Sequence, residues 1–350
     1  MADRTVFYCN PFVPVEWMVA HGVTVRWLRI RSVSGTSGVG PRQGHCPLAA
    51  AVVEAVSSAS TDAATVLTTT CDQMRHSGSF LRNGGQDRIF LMNVPSTWQT
   101  PAARQLYLDE LLRLGRFLIR QGGRSPSKEE LREVMGRFDR KRANLRQARP
   151  SMAASDWSLS LMAVRESPSQ VESDSGMVID PVLHGDPADS TASIHAPKGA
   201  PQGVPLALIG GPLLDQDRGL LDRVEFAGGR FVLDATEWGE RTLPRPFDEM
   251  RAGEDPLTEL VDAYFGTIPD VFRRPNDPFD AYLKREFVSR KVRGVVVVRY
   301  PWCDLWHAEV ARWKAFLDIP LLDLDRTVDE ELSVGRARGR VESFLEVIGR

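Results

Sequence analysis

The feature that most constrains this chain is a strand-helix-strand pattern that occurs twice, once in each half. Residues 4–9 (RTVFYC) are apolar and β-prone, a loop carrying Pro11 and Pro14 follows, residues 16–20 (EWMVA) have a helical pattern, and His21-Gly22 ends that helix. The next strand is 23–30 (VTVRWLRI). In the second half, 204–209 (VPLALI) is a strand, Gly210-Gly211-Pro212 a tight loop, 220–227 a helix, Gly228-Gly229 its stop, and RFVLDA the next strand. WMVAHGVTVRWL set against DRVEFAGGRFVLDA gives an internal duplication of a βαβ unit. Such a unit requires parallel strands, joined by a right-handed crossover. The expected fold class is α/β, with a parallel-sheet domain in each half.

The shared plan extends further along the chain. AATVLTTTCDQM places Cys71-Asp72 after an apolar strand, and VRGVVVVRYPWCDLW places Cys303-Asp304 after another. Both strands are rich in Val and Thr without alternation, as strands covered on both faces are. Helix-like segments follow, and Asp72 and Asp304 suit helix starts, where a carboxylate caps free N–H groups. Between the halves, 102–121 has a helical apolar period that stops at Gly122-Gly123. Ser127-Lys128-Glu129-Glu130 is a capping box opening a second helix that Pro150 ends. The expected organisation is an N-terminal α/β domain over 1–100 and a helical segment over 101–150. A linker or low-complexity insert over 151–203 precedes a C-terminal α/β domain over 204–350, which has an amphipathic closing helix at 335–348. The insert is rich in Ser, Pro, Asp and Ala, and 158–164 (SLSLMAV) is its one apolar island.

A chain of 350 residues exceeds what one core usually serves. Its 44 Lys and Arg against 46 Asp and Glu give a net charge of −2, which argues against nucleic acid as a partner. The first residues show no secretory signal, and no apolar stretch approaches a membrane span, so a cytoplasmic protein is expected. In a reducing compartment its four cysteines, at 9, 46, 71 and 303, are free thiols or metal ligands.

In open parallel sheets, ligands bind beyond the carboxyl ends of the strands, where this reading puts Cys9, Cys71 and Cys303. Cys46 ends the Gly-rich run SGTSGVGPRQGHC and is followed by Pro47 and LAAAVVEAV, so it sits at a helix N-terminus, where the dipole lowers a thiol pKa. The wide spacing of the cysteines fits no short ferredoxin or zinc-ribbon pattern, and by pattern alone they read equally as buried thiols or as ligands. His45 and His76 flank Cys46 and Cys71, and His307 follows Cys303 by one helical turn; each is a hydrogen-bond donor or proton carrier at a site, or simply exposed. Glu16 either lines a site or serves as a helix N-terminal carboxylate. Arg113, Arg116, Arg120 and Arg124 recur at helical spacing and form a solvated face, or meet the phosphates of a ligand or a partner. The loop 35–44 lacks the Lys-Ser/Thr of a phosphate loop.

In chain order, the segments CNPFVPVEWMVAHG, GHCPLAAAVVEA, TVLTTTCDQMRHS, FLMNVPSTWQTPAARQLYLDEL, LALIGGPLLD, VEFAGGRFVLDATEWGER, RGVVVVRYPWCD and GRVESFLEVI resemble the 2-hydroxyacyl-CoA dehydratase D-component family. That family includes benzoyl-CoA reductase subunits and double-cubane cluster proteins. The resemblance implies two Rossmann-like domains with a helical portion between them. It also implies an iron–sulfur cluster, four-iron four-sulfur or double-cubane eight-iron nine-sulfur, held by Cys46 in GHCPL, Cys71 in TTTCDQM and Cys303 in YPWCD. Cys9, in CNPFVP, is expected to be a buried thiol outside the ligand set. The partners implied are a homologous second subunit or a second copy, an ATP-dependent activator protein as electron donor, and an acyl-CoA substrate. The activity implied is that of an oxygen-sensitive lyase (dehydratase) or reductase that passes one low-potential electron to a CoA thioester. In the dehydratases the resulting ketyl radical expels the neighbouring hydroxyl. The alternatives are a homodimeric double-cubane reductase of a small molecule and a non-catalytic scaffold that keeps the fold. The biased 151–203 segment departs from the family's ordered helical sequence, which puts the substrate lid and CoA contacts in question.

Overall fold

In the computed structural model, which describes residues 5–30, 45–59, 63–83, 87–167, 202–326 and 330–349, the first half is built from β1 (Thr5–Tyr8), α1 (Val15–Ala20), β2 (Thr24–Trp27), α2 (Pro47–Ser58), β3 (Ala64–Thr68), α3 (Asp72–Asn83) and β4 (Ile89–Met92). Three helices follow: α4 (Pro101–Arg120), α5 (Lys128–Ala148) and α6 (Ala154–Ala163). The second half contains β5 (Val204–Gly210), α7 (Arg218–Phe226), β6 (Gly229–Thr236), α8 (Glu249–Glu254), α9 (Pro256–Tyr264), α10 (Asp277–Ser289), β7 (Gly294–Arg299), α11 (Asp304–Phe316), β8 (Leu321–Asp325) and α12 (Glu330–Gly349). The strands form two four-stranded sheets, ordered β2-β1-β3-β4 and β6-β5-β7-β8, with parallel pairing throughout. The fold is α/β with two Rossmann-like parallel sheets of the same strand order, as the doubled sequence pattern requires. Even the helix stops correspond. Gly22 after α1 and Gly228 after α7 both take left-handed φ, 77° and 94°, a region that glycine enters without a Cβ penalty.

Ser127 and Glu130 form the expected capping box at the start of α5, with mutual bonds of 2.8 and 3.2 Å. The expectation for 151–203 needs correcting at its start. Residues 154–163 are not linker but α6, which buries Ala154, Trp157, Leu161 and Met162. Its first free amide donates to Glu225 of α7 at 3.1 Å. Polar residues earlier and later in the segment dilute its average composition, yet Trp157 with the apolar island supplies one continuous buried face. Residues 168–201, the greater part of the expected insert, and the loop 35–44 lie outside the described residues.

Glu16 is also settled here: it does not line a site. It is fully buried on α1, where Arg142 of α5 donates to it and the Tyr264 hydroxyl of α9 donates at 2.7 Å. Arg142 makes a further bond to Asp139 at 2.8 Å. A charge taken out of water is tolerable only when partnered, so α1, α5 and α9 are pinned together by this network. Aromatic contacts reinforce the join, with Tyr107 of α4 stacked on Phe265 at 4.8 Å.

Glu16→Ala leaves the Arg142 guanidinium buried beside a lost partner and should lower unfolding free energy by about 3–5 kcal/mol in urea titration. The double replacement Glu16→Leu with Arg142→Met should cost much less, because no charge is stranded. A single-variant loss below about 1 kcal/mol, the worth of an exposed pair, would show that water reaches the network.

Candidate functional site

In each sheet the first strand lies between the second and the third, so successive crossovers leave on opposite sides and open a crevice at the strands' carboxyl ends. The two crevices face one cavity of about 570 Å³, lined by residues from both halves. Its size falls within the range of small-molecule and cofactor sites. Cys46, Cys71 and Cys303 all line it.

Each of the three cysteines stands at the start of a helix. Cys46 is the N-cap of α2, and its Sγ accepts the Ala49 amide at 3.3 Å, with Pro47 at the first helical position as expected. Cys71 precedes α3 and its Sγ accepts the Met74 amide at 3.4 Å. Cys303 is the N-cap of α11 and its carbonyl accepts the His307 amide at 3.0 Å. The Trp306 amide, three residues on, draws the Cys303 pKa down at a geometry looser than a hydrogen bond. Three helix N-termini thus converge on the cavity, each presenting a sulfur. The expected caps, Asp72 and Asp304, are instead the first helical residues; both are exposed, and Asp72 pairs with Arg75 at 3.2 Å.

The turn that delivers Cys303 is tight. Its amide returns to the Tyr300 carbonyl at 3.3 Å, Pro301 occupies the second position, and Trp302 takes φ 66°. Left-handed backbone costs a non-glycine residue roughly 1–2 kcal/mol, and here it leaves the indole 63 % exposed at the cavity wall.

Burial pushes the Cys71 and Cys303 thiols up to about 12 and the Cys46 thiol upward, with the helix amides opposing this in part. Among the described residues no Lys or Arg side chain bonds these sulfurs, and a cation in the cavity would favour their deprotonation. Among the described residues no three His, Cys, Asp or Glu side chains converge closely enough for a single metal ion. A polynuclear cluster spreads its ligands more widely, because each thiolate binds a different iron. Cys9 is buried behind the cavity and does not line it; its carbonyl accepts Trp238 Nε1 at 3.0 Å, and burial pushes its thiol up to about 12.

The histidines sit outside the cavity wall. His45 and His76 meet edge to face with ring centres 5.5 Å apart, and His307 Nδ1 contacts Arg299 at 3.1 Å. Of the arginine row, Arg113, Arg116 and Arg120 lie on α4, where Arg113 bonds Glu110 and covers the Phe90 ring and the other two are exposed, whereas Arg124 lies beyond the helix end and pairs with Glu130.

Sequence reasoning missed the cavity's most unusual acid. Glu237, the first residue beyond β6, lines the cavity with the cysteines. Asn10, two residues beyond β1, donates from Nδ2 to Glu237 Oε1 at 3.2 Å and to Thr70 Oγ1 at 3.1 Å. Burial, with Asp270 nearby, raises the Glu237 carboxyl to about 8 against the pull of Arg241 and Arg165. The usable signal was position: both residues follow parallel strands that read clearly in the sequence.

A carboxyl whose pKa is raised by folding stabilises the fold while protonated. For Glu237 that contribution is present below 4.5 and lost as pH rises through about 8. The metal-free protein should therefore lose thermal stability across that interval, and Glu237→Gln should flatten this part of the profile. Superimposable pH profiles for the two proteins would place the Glu237 carboxyl in contact with water.

No helix among the described residues is long and apolar enough to cross a membrane. No curated protein matches the chain at a significant level. A family model described as 2-hydroxyglutaryl-CoA dehydratase, D-component, matches residues 11–348. The strand-end cysteines, the doubled parallel sheets and this nearly full-length match agree, and the chain belongs to the 2-hydroxyglutaryl-CoA dehydratase D-component family.

Proposed function

We propose that the chain is the iron–sulfur subunit of a 2-hydroxyacyl-CoA dehydratase or a benzoyl-CoA reductase-like enzyme, with a four-iron four-sulfur cluster held by Cys46, Cys71 and Cys303. The observation that carries this reading is the convergence of three thiols, each at a helix N-terminus, on one cavity between the two sheets. The donor set fits the group. Sulfur is the preferred donor for iron–sulfur clusters, the helix amides favour its anionic form, and three thiolates leave one iron for another ligand. When bound, the cluster supplies a low-potential one-electron couple for an acyl-CoA thioester.

The remaining work falls to the chain's own residues. Val94, Pro95, Val271 and Phe272 give the cavity an apolar wall that limits water. Asn10 orients the Glu237 carboxyl at the cavity that the three cysteines line. Arg299 is clamped by Asp323 at 2.9 and 3.1 Å and fixes the end of β7 from which the Cys303 turn departs. In this reading a homologous subunit or second copy completes the enzyme, and an ATP-dependent activator delivers the electron in the cytoplasm.

Prepared without oxygen, Cys46→Ser, Cys71→Ser and Cys303→Ser should each lose most of their bound iron, because a hydroxyl is a poor substitute for thiolate on cluster iron. Cys9→Ser should keep it. Iron and sulfide per chain are the readout, with circular dichroism checking the fold. Equal iron in all four variants would remove the cluster, and loss in Cys9→Ser alone would move the ligand set to the first strand.

A further inference from the structure

Among the described residues the cavity is lined by one half-buried, partly satisfied carboxylate that stands off the helix starts. Four carboxylates among the described residues line the space: Asp72, Glu237, Asp270 and Asp304. Asp72 and Asp304 are exposed at helix starts. Asp270 is spoken for, since its Oδ2 accepts from Arg241 at 2.8 Å and its Oδ1 accepts the Phe272 amide at 3.3 Å. Glu237 differs from all three. Asn10 holds its Oε1, and among the described residues Oε2 accepts no hydrogen bond and joins no salt bridge. Its backbone is fixed by a 2.9 Å bond to the Gly210 carbonyl, and the next residue, Trp238, is anchored to the Cys9 carbonyl. The side chain is therefore aimed by neighbours on both sides. It lines the same cavity as Cys46, Cys71 and Cys303.

We infer that Glu237 supplies the fourth protein ligand of the cluster, binding through Oε2 the iron that the three cysteines leave open. The inference rests on the cluster reading above. A carboxylate is a competent iron ligand, and a single oxygen donor beside three thiolates makes that iron chemically distinct from its neighbours. The Asn10 amide, bonded to the other oxygen, fixes the carboxylate's orientation, as partners of metal-bound carboxylates commonly do. A ligand of this kind closes the open iron at rest and yields it when an incoming oxygen donor competes.

The test uses the full chain loaded anaerobically with iron-57, comparing wild type with Glu237→Gln, Glu237→Ala and Asn10→Ala. Iron per chain should stay at the wild-type level in every variant, since the three thiolates remain. The Mössbauer signal of one iron in four should shift in Glu237→Ala and in the near-isosteric Glu237→Gln. In oxygen-17 water, the reduced cluster of wild type should show no strongly coupled solvent oxygen by electron-nuclear double resonance, whereas Glu237→Ala should gain one. Asn10→Ala should give a mixture of the two. Wild type with full iron and a strongly coupled solvent oxygen would overturn the assignment while leaving the three-cysteine cluster standing. So would spectra identical in wild type and Glu237→Ala, or a double-cubane in which sulfide occupies the fourth position. A wild-type chain that takes up no cluster would overturn both readings, and iron per chain separates that outcome from the others.

Discussion

A parallel strand can be followed only by a crossover, and the crossover has one hand. From that constraint comes the rest of the molecule. Every strand of a sheet ends at the same edge, so the residues just past β1, β3, β5, β6 and β7 gather there whatever their distance in sequence. Facing the two edges toward each other creates a space lined by residues of both halves. The helices that start at these edges bring their free amides, which suit an anion such as a thiolate and would be poorly satisfied by an apolar wall.

The join between halves is polar as well as apolar, and that makes the halves interdependent. Trp238 Nε1 has its partner on Cys9, the Tyr8 hydroxyl donates to the Arg165 carbonyl at 2.6 Å, and Arg165 returns to the Trp238 carbonyl at 2.7 Å. Arg104 of α4 reaches Asp262 of α9 at 2.6 Å. A buried donor left without its acceptor costs about 1–3 kcal/mol, so separating the halves would expose a series of such penalties together with the Trp27–Trp238 contact at 5.5 Å. The cavity wall inherits its rigidity from this join: Arg274 donates to the Ser96 carbonyl at 3.1 Å and Trp98 to that of Pro275 at 3.2 Å, holding the 93–98 segment against the second half.

Much of this was legible in the sequence because it depends on local rules. The glycine stops, the Pro47 helix start, the Ser127–Glu130 box and the unalternating Val-rich strands each follow from backbone chemistry within a few residues. The identity of the caps was harder. Aspartate is the better cap by propensity, yet at α3 and α11 the preceding cysteine occupies the position and the aspartate moves into water, a choice made by the cavity. Glu237 and Asn10 were invisible for a different reason. Their importance comes from a contact across 227 positions, and neither residue type is unusual at a strand end. Glu16 failed in the opposite direction: a helix-start carboxylate normally faces solvent, and only the arrival of Arg142 and Tyr264 from distant helices makes burial tolerable.

The distribution of the cavity's thiols along the chain has a consequence for biosynthesis. Cys46 and Cys71 lie in the first half, whereas Cys303 follows Cys71 only after the whole helical segment and most of the second half. Domains tend to fold as they are made, first half first, so the growing polypeptide passes through a long stage with two cavity thiols in place and the third not yet translated. During that stage the second sheet, which supplies the other side of the cavity, is absent. Maturation is thus timed by the last strand-to-helix turn, the one strained at Trp302, and quality control of the nascent chain has to cover the whole interval before it closes.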